Sequence, residues 1–304
     1  MARISIGLPV YNGEAFVAGA IESVLAQTLR DFELIISDNA SMDRTGGICR
    51  AYAARETRIR YILQQRNLGA AANFNATLAH ATSPYFKWLA HDDTIEPTFL
   101  ETCVGFLERN PSYVLAAAKA TICDADMTAV EAYDYDLDAE SDDVAERVRS
   151  QIRGHQCHEI MGVIRTQTLR RTPPMGSHFA GDAVLLIRLV LQGKFYEAPE
   201  RLMNFRHHAS QSARYRTNLR KYMEWWDVRN AGRITFPYWK VFREYLASLW
   251  MYDMSARDRL RCLGHVLAWA VRRRRPLASD VMAAIPQGLS RLGSMTTRRP
   301  QTRV

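Results

Sequence analysis

The sequence predicts an α/β fold: a mainly parallel central sheet flanked by helices, followed by a C-terminal helical appendage. Two observations predict the sheet. Short apolar runs alternate with segments of helical periodicity over residues 4–110, and the polar clusters Pro9-Val10-Tyr11, Asp38-Asn39 and Asp92-Asp93 each stand where such a run stops. A third observation predicts the appendage. Residues 201–304 carry 21 Lys and Arg against 6 Asp and Glu, a net of +15, whereas residues 1–200 carry 19 against 26, a net of −7. The 304 residues, 47% hydrophobic, are enough for one large domain with a substantial core.

The elements follow in order. Ile4-Ser5-Ile6-Gly7-Leu8-Pro9-Val10 reads as a buried strand stopped by the turn formers Tyr11-Asn12-Gly13. Phe16, Ala20, Ile21, Val24 and Leu25 recur at helical spacing through about Thr28, and Leu34-Ile35-Ile36-Ser37 makes a second strand ending in Asp38-Asn39. Ser41 to Thr45 supply turn and capping residues for a helix to about Arg55, after which Ile59 to Leu63 form a third strand. Asn67-Leu68-Gly69 opens a helix through roughly His80, and the run 85–89 delivers Asp92-Asp93. Glu96-Pro97, with proline at the first helical position, starts a helix that Asn110-Pro111 ends. Ligands of such sheets bind beyond the carboxyl ends of the strands, where all three polar clusters fall.

Two adjacent carboxylates at a strand end form a docking point for a hard divalent cation, Mg²⁺ or Mn²⁺, which in turn carries a phosphate. Asp142-Asp143 has the same residues in a polar stretch and reads as a solvated loop. A neutral imidazole is a poor match for a hard cation, so His91 is not expected as a ligand, and its side chain should point to the opposite sheet face from its neighbour. Asp182 begins an amphipathic helix with Leu185, Leu186, Leu189 and Val190 on one face, a position at which aspartate commonly caps. The His155-Gln156-Cys157-His158 cluster lacks a partner pair at zinc-finger spacing. Five scattered cysteines fit a reduced, cytoplasmic protein, and the absence of Gly-x-Gly-x-x-Gly and of a Walker loop disfavours a dinucleotide oxidoreductase or a P-loop kinase.

These segments resemble the family 2 glycosyltransferases, which have the GT-A fold. Ile6 to Glu14 is similar to the family's opening strand, Ala20 to Thr28 to its first helix, and Asp31 to Ser41 to its nucleotide-binding second strand; Asn67-Leu68-Gly69 and Asn73-Phe74-Asn75 continue the match. The resemblance covers about residues 3–215 and implies a catalytic domain there, divided near residue 110 into a nucleotide-binding half and an acceptor half. It implies a nucleotide-diphospho-sugar donor framed by Pro9, Tyr11 and Glu14, with Asp38 or Asn39 on the base edge and Arg66 and Asn73 near ribose or phosphates. Packing and surface solvation are the alternative for those last two. Relatives often have two aspartates where this chain has Asp38-Asn39, and many have Asp-x-Asp-Asp where it reads Ala90-His91-Asp92-Asp93. Asp92 is then assigned to donor and metal, and Asp93 to metal. The carboxylate at Asp182 is implied as the general base that deprotonates the acceptor hydroxyl for inverting attack. Arg206-His207-His208, followed by Ser210 and Ser212, resembles the closing motif, with Arg206 on the diphosphate and His208 on diphosphate or metal.

The acidic stretch 124–146 holds no basic residue and reads as a mobile loop, whereas the C-terminal part reads as helices near 217–230, 238–253, 256–273 and 277–291. Trp225, Trp226, Trp239, Trp250 and Trp269 among arginines point to peripheral attachment to an anionic membrane, ahead of plain packing; nucleic acid is not expected, since no recognition motif accompanies the charge. No apolar run reaches 18 residues and the N-terminus is already a core strand, so neither a spanning helix nor a signal peptide is expected. The function read from the whole is sugar transfer to a saccharide or lipid-linked saccharide in surface polysaccharide or glycolipid synthesis. A nucleotidyltransferase of related fold and a catalytically silent scaffold are the alternatives.

Overall fold

The computed structural model describes residues 2–134, 138–153, 156–209, 211, 218–233 and 235–283. Its centre is one nine-stranded sheet in the order β3-β2-β1-β4-β8-β6-β9-β5, with β7 paired to β6. The first four strands, β1 (Ile4–Val10), β2 (Phe32–Asp38), β3 (Ile59–Leu63) and β4 (Tyr85–Trp88), are all parallel. All seven residues of β1 are buried, as expected for a strand covered on both faces, which is why it reads as a continuous apolar run rather than an alternating one. Helices α1 (Val17–Leu25), α2 (Thr45–Ala53) and α3 (Ala70–Ala79) make the crossovers. Gly7 permits the close approach of α3 to β1: a Cβ there would run into the Thr77 hydroxyl and the Phe86 ring.

The second half of the sheet is mixed, so the parallel expectation holds only for its first half. β8 (Val163–Arg165) runs antiparallel to β4 and to β6 (Tyr113–Cys123); β6 and β9 (Lys194–Arg206) are parallel; β5 (Thr94–Ile95) and β7 (Ala129–Tyr133) pair antiparallel to β9 and β6. Helix α4 (Phe99–Arg109) starts two residues beyond Pro97, at an N-cap Thr98, so the proline precedes the helix rather than opening it. The acidic stretch is not simply a loop. It contains β7, and Asp143 accepts a hydrogen bond from Ala145 N at the start of α5 (Val144–Ile152).

That stretch also meets the basic residues the sequence keeps elsewhere. Asp134 pairs with Arg201 at 2.7 Å, Asp142 with Lys194 at 2.5 Å and Asp143 with Arg261 at 2.6 Å. Such exposed pairs contribute little individually, about 0–1 kcal/mol, but they show that charge segregated along the chain is complementary in space.

After α6 (Thr166–Arg170) and α7 (Gly181–Val190) come α8 (Leu219–Trp226), α9 (Pro237–Ser248), α10 (Ala256–Arg272) and a helical run over 274–283. Ser210, Ser212, His155 and residues 284–291 of the last expected helix lie outside the described residues. Trp226, Tyr245, Val266 and Trp269 join Leu185, Leu186, Leu189 and the sheet residues Phe86 and Trp88 in one core. The C-terminal helices therefore cover a face of the sheet and have no separate interior. Trp269 is buried between Phe242 and Tyr245. Trp269→Ala is expected to cost about 3–5 kcal/mol in urea unfolding and to shift the whole transition; two separate transitions, with only the smaller one moved, would show an independent appendage.

Candidate active site

The carboxyl ends of β1 and β2 are locked together by side chains. Asp38 is fully buried; its Oδ1 accepts from Ser41 N at 2.8 Å and its Oδ2 from the Tyr61 hydroxyl at 2.7 Å. Burial, then that bond to Asp38, push the Tyr61 phenol far up, so it stays a donor. Asn39 is also buried, accepting from Leu68 N at 2.8 Å and donating to Asn67 Oδ1 at 3.0 Å. Asn73 donates to the carbonyls of Ser37 and Val10 and accepts from the Ser37 hydroxyl. Its side chain is thus fully engaged in packing α3 onto the strand ends, the alternative that the sequence left open.

The turn after β1 is held in the same way. Gly13 N donates to Thr45 Oγ1 and Asn12 N to Ser41 Oγ, while Asn12 takes the left-handed φ of 48°. Glu14 accepts from Arg44 N at 2.9 Å and pairs with its guanidinium at 3.2 Å. Pro9 is buried within β1, whereas Tyr11 is 37% exposed and offers a ring to the open edge. Arg66 is exposed in the turn after β3 and has no hydrogen-bond partner among the described residues.

The second cluster forms where the loop after β4 meets the end of β9. His208 Nε2 lies 3.1 Å from Asp92 Oδ2, and Asp93 Oδ1 accepts from Arg206 N at 3.0 Å. The buried Arg206 guanidinium donates to the carbonyls of Asp92 and Ala125 and stacks on Phe16 at 4.6 Å, while the same ring meets His208 at 4.4 Å. Arg206 thereby holds the Asp92 loop to the end of β9. The His91 ring lies against Gly13, where a Cβ would strike it, and thereby joins this loop to the turn after β1.

Burial, and then the Asp92 carboxylate beside it, push the Asp93 carboxyl well above the usual carboxylate range. Burial also opposes ionisation of Asp92, but His91 and His208 beside it bring its carboxyl below the ordinary value. Among the described residues no three His, Cys, Asp or Glu side chains converge as a complete cation cage, and Asp93 turns Oδ1 toward Arg206. Its Oδ2 takes no hydrogen bond among the described residues, and one or two carboxylates suffice for a cation that keeps waters and substrate phosphates as its other ligands. The donor set fits a cation shared with a diphosphate.

Asp182 is the second residue of α7, whose N-cap is Ala180 in the left-handed conformation with no capping side chain. The expected cap is thus absent: Asp182 Oδ1 accepts from Ala183 N at 2.8 Å, one residue on. The preceding loop is tied to α3 by reciprocal bonds between the Asn75 amide and the Met175 backbone, at 2.8 and 3.0 Å.

Two contributors were missed in the sequence. Phe16, read only as a core position, packs under both Arg206 and His208. Lys87 is fully buried, donates to the carbonyls of Trp88 and Met161, sits 4.5 Å over the Phe99 ring, and has burial lowering its ammonium pKa to about 7. A lysine inside the run Tyr85-Phe86-Lys87-Trp88-Leu89 was the available signal, since an unpaired charge is not otherwise kept in a central strand.

The sequence model of a family described as glycosyl transferase family 2 matches residues 5–171, more than half of the chain. EpsE of Bacillus subtilis (strain 168) is 37% identical over 123 residues, which are 40% of this chain and 44% of EpsE. The glycosyltransferase GlyA of Streptococcus pneumoniae serotype 4 is 32% identical over 100 residues, 33% of this chain and 14% of GlyA. The aligned part thus spans less than half the length of these curated relatives. Among solved structures, residues 1–349 of Staphylococcus aureus TarS in complex with UDP-GlcNAc superpose with a TM-score of 0.70 at 16% identity, over 97% of this chain and 80% of that one. A mannosyltransferase of Pyrobaculum calidifontis in complex with GDP-Man and Mn²⁺ gives 0.57 at 14% identity, over 98% and 81%. The fold is that of the GT-A glycosyltransferases.

Arg206→Ala removes the guanidinium's bonds to the carbonyls of Asp92 and Ala125 and should cost about 1.5–3 kcal/mol of stability together with nucleotide affinity. Lost nucleotide affinity at an unchanged melting temperature would return Arg206 to the diphosphate.

Proposed function

We propose that this chain, which belongs to glycosyl transferase family 2, moves a sugar from a nucleotide-diphospho-sugar to an acceptor hydroxyl with inversion at the anomeric carbon. The observation that carries the reading is the placement of Asp92, Asp93 and His208 beside the turn that ends β1. Tyr11 offers a face for the base, Asp38 and Asn39 fix the edge against which the base lies, and Glu14 holds the turn through Arg44. Arg66, exposed and without a hydrogen-bond partner among the described residues, suits the ribose or the phosphates. Asn73 acts at one remove by setting the strand ends.

Asp92, Asp93 and His208 would hold Mg²⁺ or Mn²⁺, whose charge stabilises the departing nucleoside diphosphate. Asp182 accepts the proton of the attacking hydroxyl, a task that typically contributes 10²–10⁴-fold. Asp182 stands in the first turn of α7, whose buried residues Val184 to Val190 pack into the core, so the carboxylate has a fixed origin. The acceptor is read as a saccharide or lipid-linked saccharide of the cell surface.

Two substitutions separate these roles. Asp93→Asn should abolish the Mn²⁺-dependent thermal stabilisation produced by a nucleotide-sugar; stabilisation equal to wild type would remove Asp93 from the metal site. Asp182→Asn should keep donor affinity and melting temperature while transfer falls by orders of magnitude. Near-normal turnover would move the base elsewhere.

No helix of the described residues is long and apolar enough to cross a membrane. Peripheral attachment is the reading we favour for the basic C-terminal third, because Trp250, Leu260 and Val271 are 59%, 70% and 64% exposed among arginines. Binding to phosphatidylglycerol vesicles should fall at least tenfold between 50 mM and 500 mM salt. Salt-independent binding, or none at low salt, contradicts it.

A further inference from the structure

Between the loop that leads to Asp182 and helix α9 lies a cavity of about 640 Å³. Its apolar walls include Met223, Phe236, Trp239 and Phe242, and Phe236 and Trp239 are 42% and 44% exposed. The charged groups on the lining are Lys240 and Arg243, and no Asp or Glu is among the lining residues. Ser177 and His178, from the Asp182 loop, form the polar end.

The charge at that end is unbalanced by construction. Glu244 receives Lys240 at 2.7 Å and Arg243 at 3.6 Å on one oxygen, and the buried Arg188 at 2.6 Å on the other, so three cations share one carboxylate. Two further carboxylates nearby are engaged elsewhere: Asp280 accepts from the amides of Tyr238 and Trp239 at the start of α9, and Asp227, beside Ser177, pairs with Arg229 at 2.8 Å. His178 is buried, and its Nδ1 is 2.8 Å from the carbonyl of Phe179 and donates to it, which leaves Nε2 as an acceptor without a partner among the described residues. Burial and the nearby Lys240 and Arg188 hold its imidazole below the ordinary pKa. An anion is favoured here and a hydrocarbon is favoured immediately beside it.

We infer that this cavity binds a lipid phosphate, with the phosphate at Lys240 and Arg243 and the chain along Phe236, Trp239 and Phe242. The inference rests on the transferase reading only in making that lipid the carrier of the acceptor. Behind the lining, Glu244 joins Lys240 to Arg188 of α7, the helix whose first turn holds the proposed base, and Ser177 and His178 of the wall belong to the loop that leads into it.

The test uses the full chain and farnesyl phosphate below its micellar concentration, with farnesol and inorganic phosphate as controls, followed by calorimetry and tryptophan fluorescence. Farnesyl phosphate should bind at least tenfold more tightly than either control. K240Q/R243Q, which removes both charges and keeps polar side chains, should weaken it at least tenfold with an unchanged melting temperature, and Trp239→Leu should reduce both affinity and quenching. Equal affinity for farnesol and farnesyl phosphate, an unaffected double variant, or binding seen only to phosphatidylglycerol vesicles overturns the inference. Nucleotide-sugar affinity of the same sample separates the two readings. Farnesyl phosphate binding without donor binding overturns the transferase reading and keeps the cavity; the reverse overturns the cavity alone.

Discussion

The structure depends on the register of β1 between β2 and β4. Val10 stands opposite Asp38 on one side, and Gly7 opposite Trp88 on the other, so the ends of three parallel strands are brought to one edge. Each strand is buried on both faces, and slippage by one residue would reverse every side chain, so the edge is fixed by the core rather than by the polar groups that decorate it. Asp38, Asn39 and the Asp92 loop inherit their positions from that packing.

A second constraint works through buried polar groups that complete one another. Asp38, Asn39, Asn73 and Arg206 all turn their hydrogen bonds inward, so loops that would otherwise be mobile share the rigidity of the sheet. Networks of this kind rigidify when fully satisfied and fail when one member is lost. The consequence is a division of labour between adjacent residues: Arg206 anchors while His208 faces Asp92, and Asn73 anchors while Arg66 remains open.

This division explains what was legible in the sequence. The strands of the first half, their order and the polar clusters at their ends could be read because apolar runs and turn residues are local signals. The mixed second half could not, since β6 pairs with segments tens of residues away and nothing local declares a direction. Motif resemblance located Arg206 and Asp182 but not the hydrogen bonds their side chains make within the chain. Whether an arginine points to a ligand or to a carbonyl depends on neighbours such as Ala125 and Phe16, which come from other parts of the chain. The C-terminal tryptophans were ambiguous for a similar reason: Trp226 and Trp269 are core, Trp239 and Trp250 are open, and all four sit among the same basic residues.

The bond between Arg206 N and Asp93 spans 113 residues of sequence. At a synthesis rate of about 5–20 residues per second, the carboxylate pair leaves the ribosome roughly 6–20 s before the strand that fixes it has been made. During that interval β1 to β4 can assemble, but β5 has no partner and β6 lacks its longest neighbour. Nascent chains therefore carry the Asp92-Asp93 pair beside an edge that is still unpaired, and β9 closes over residues synthesised long before it.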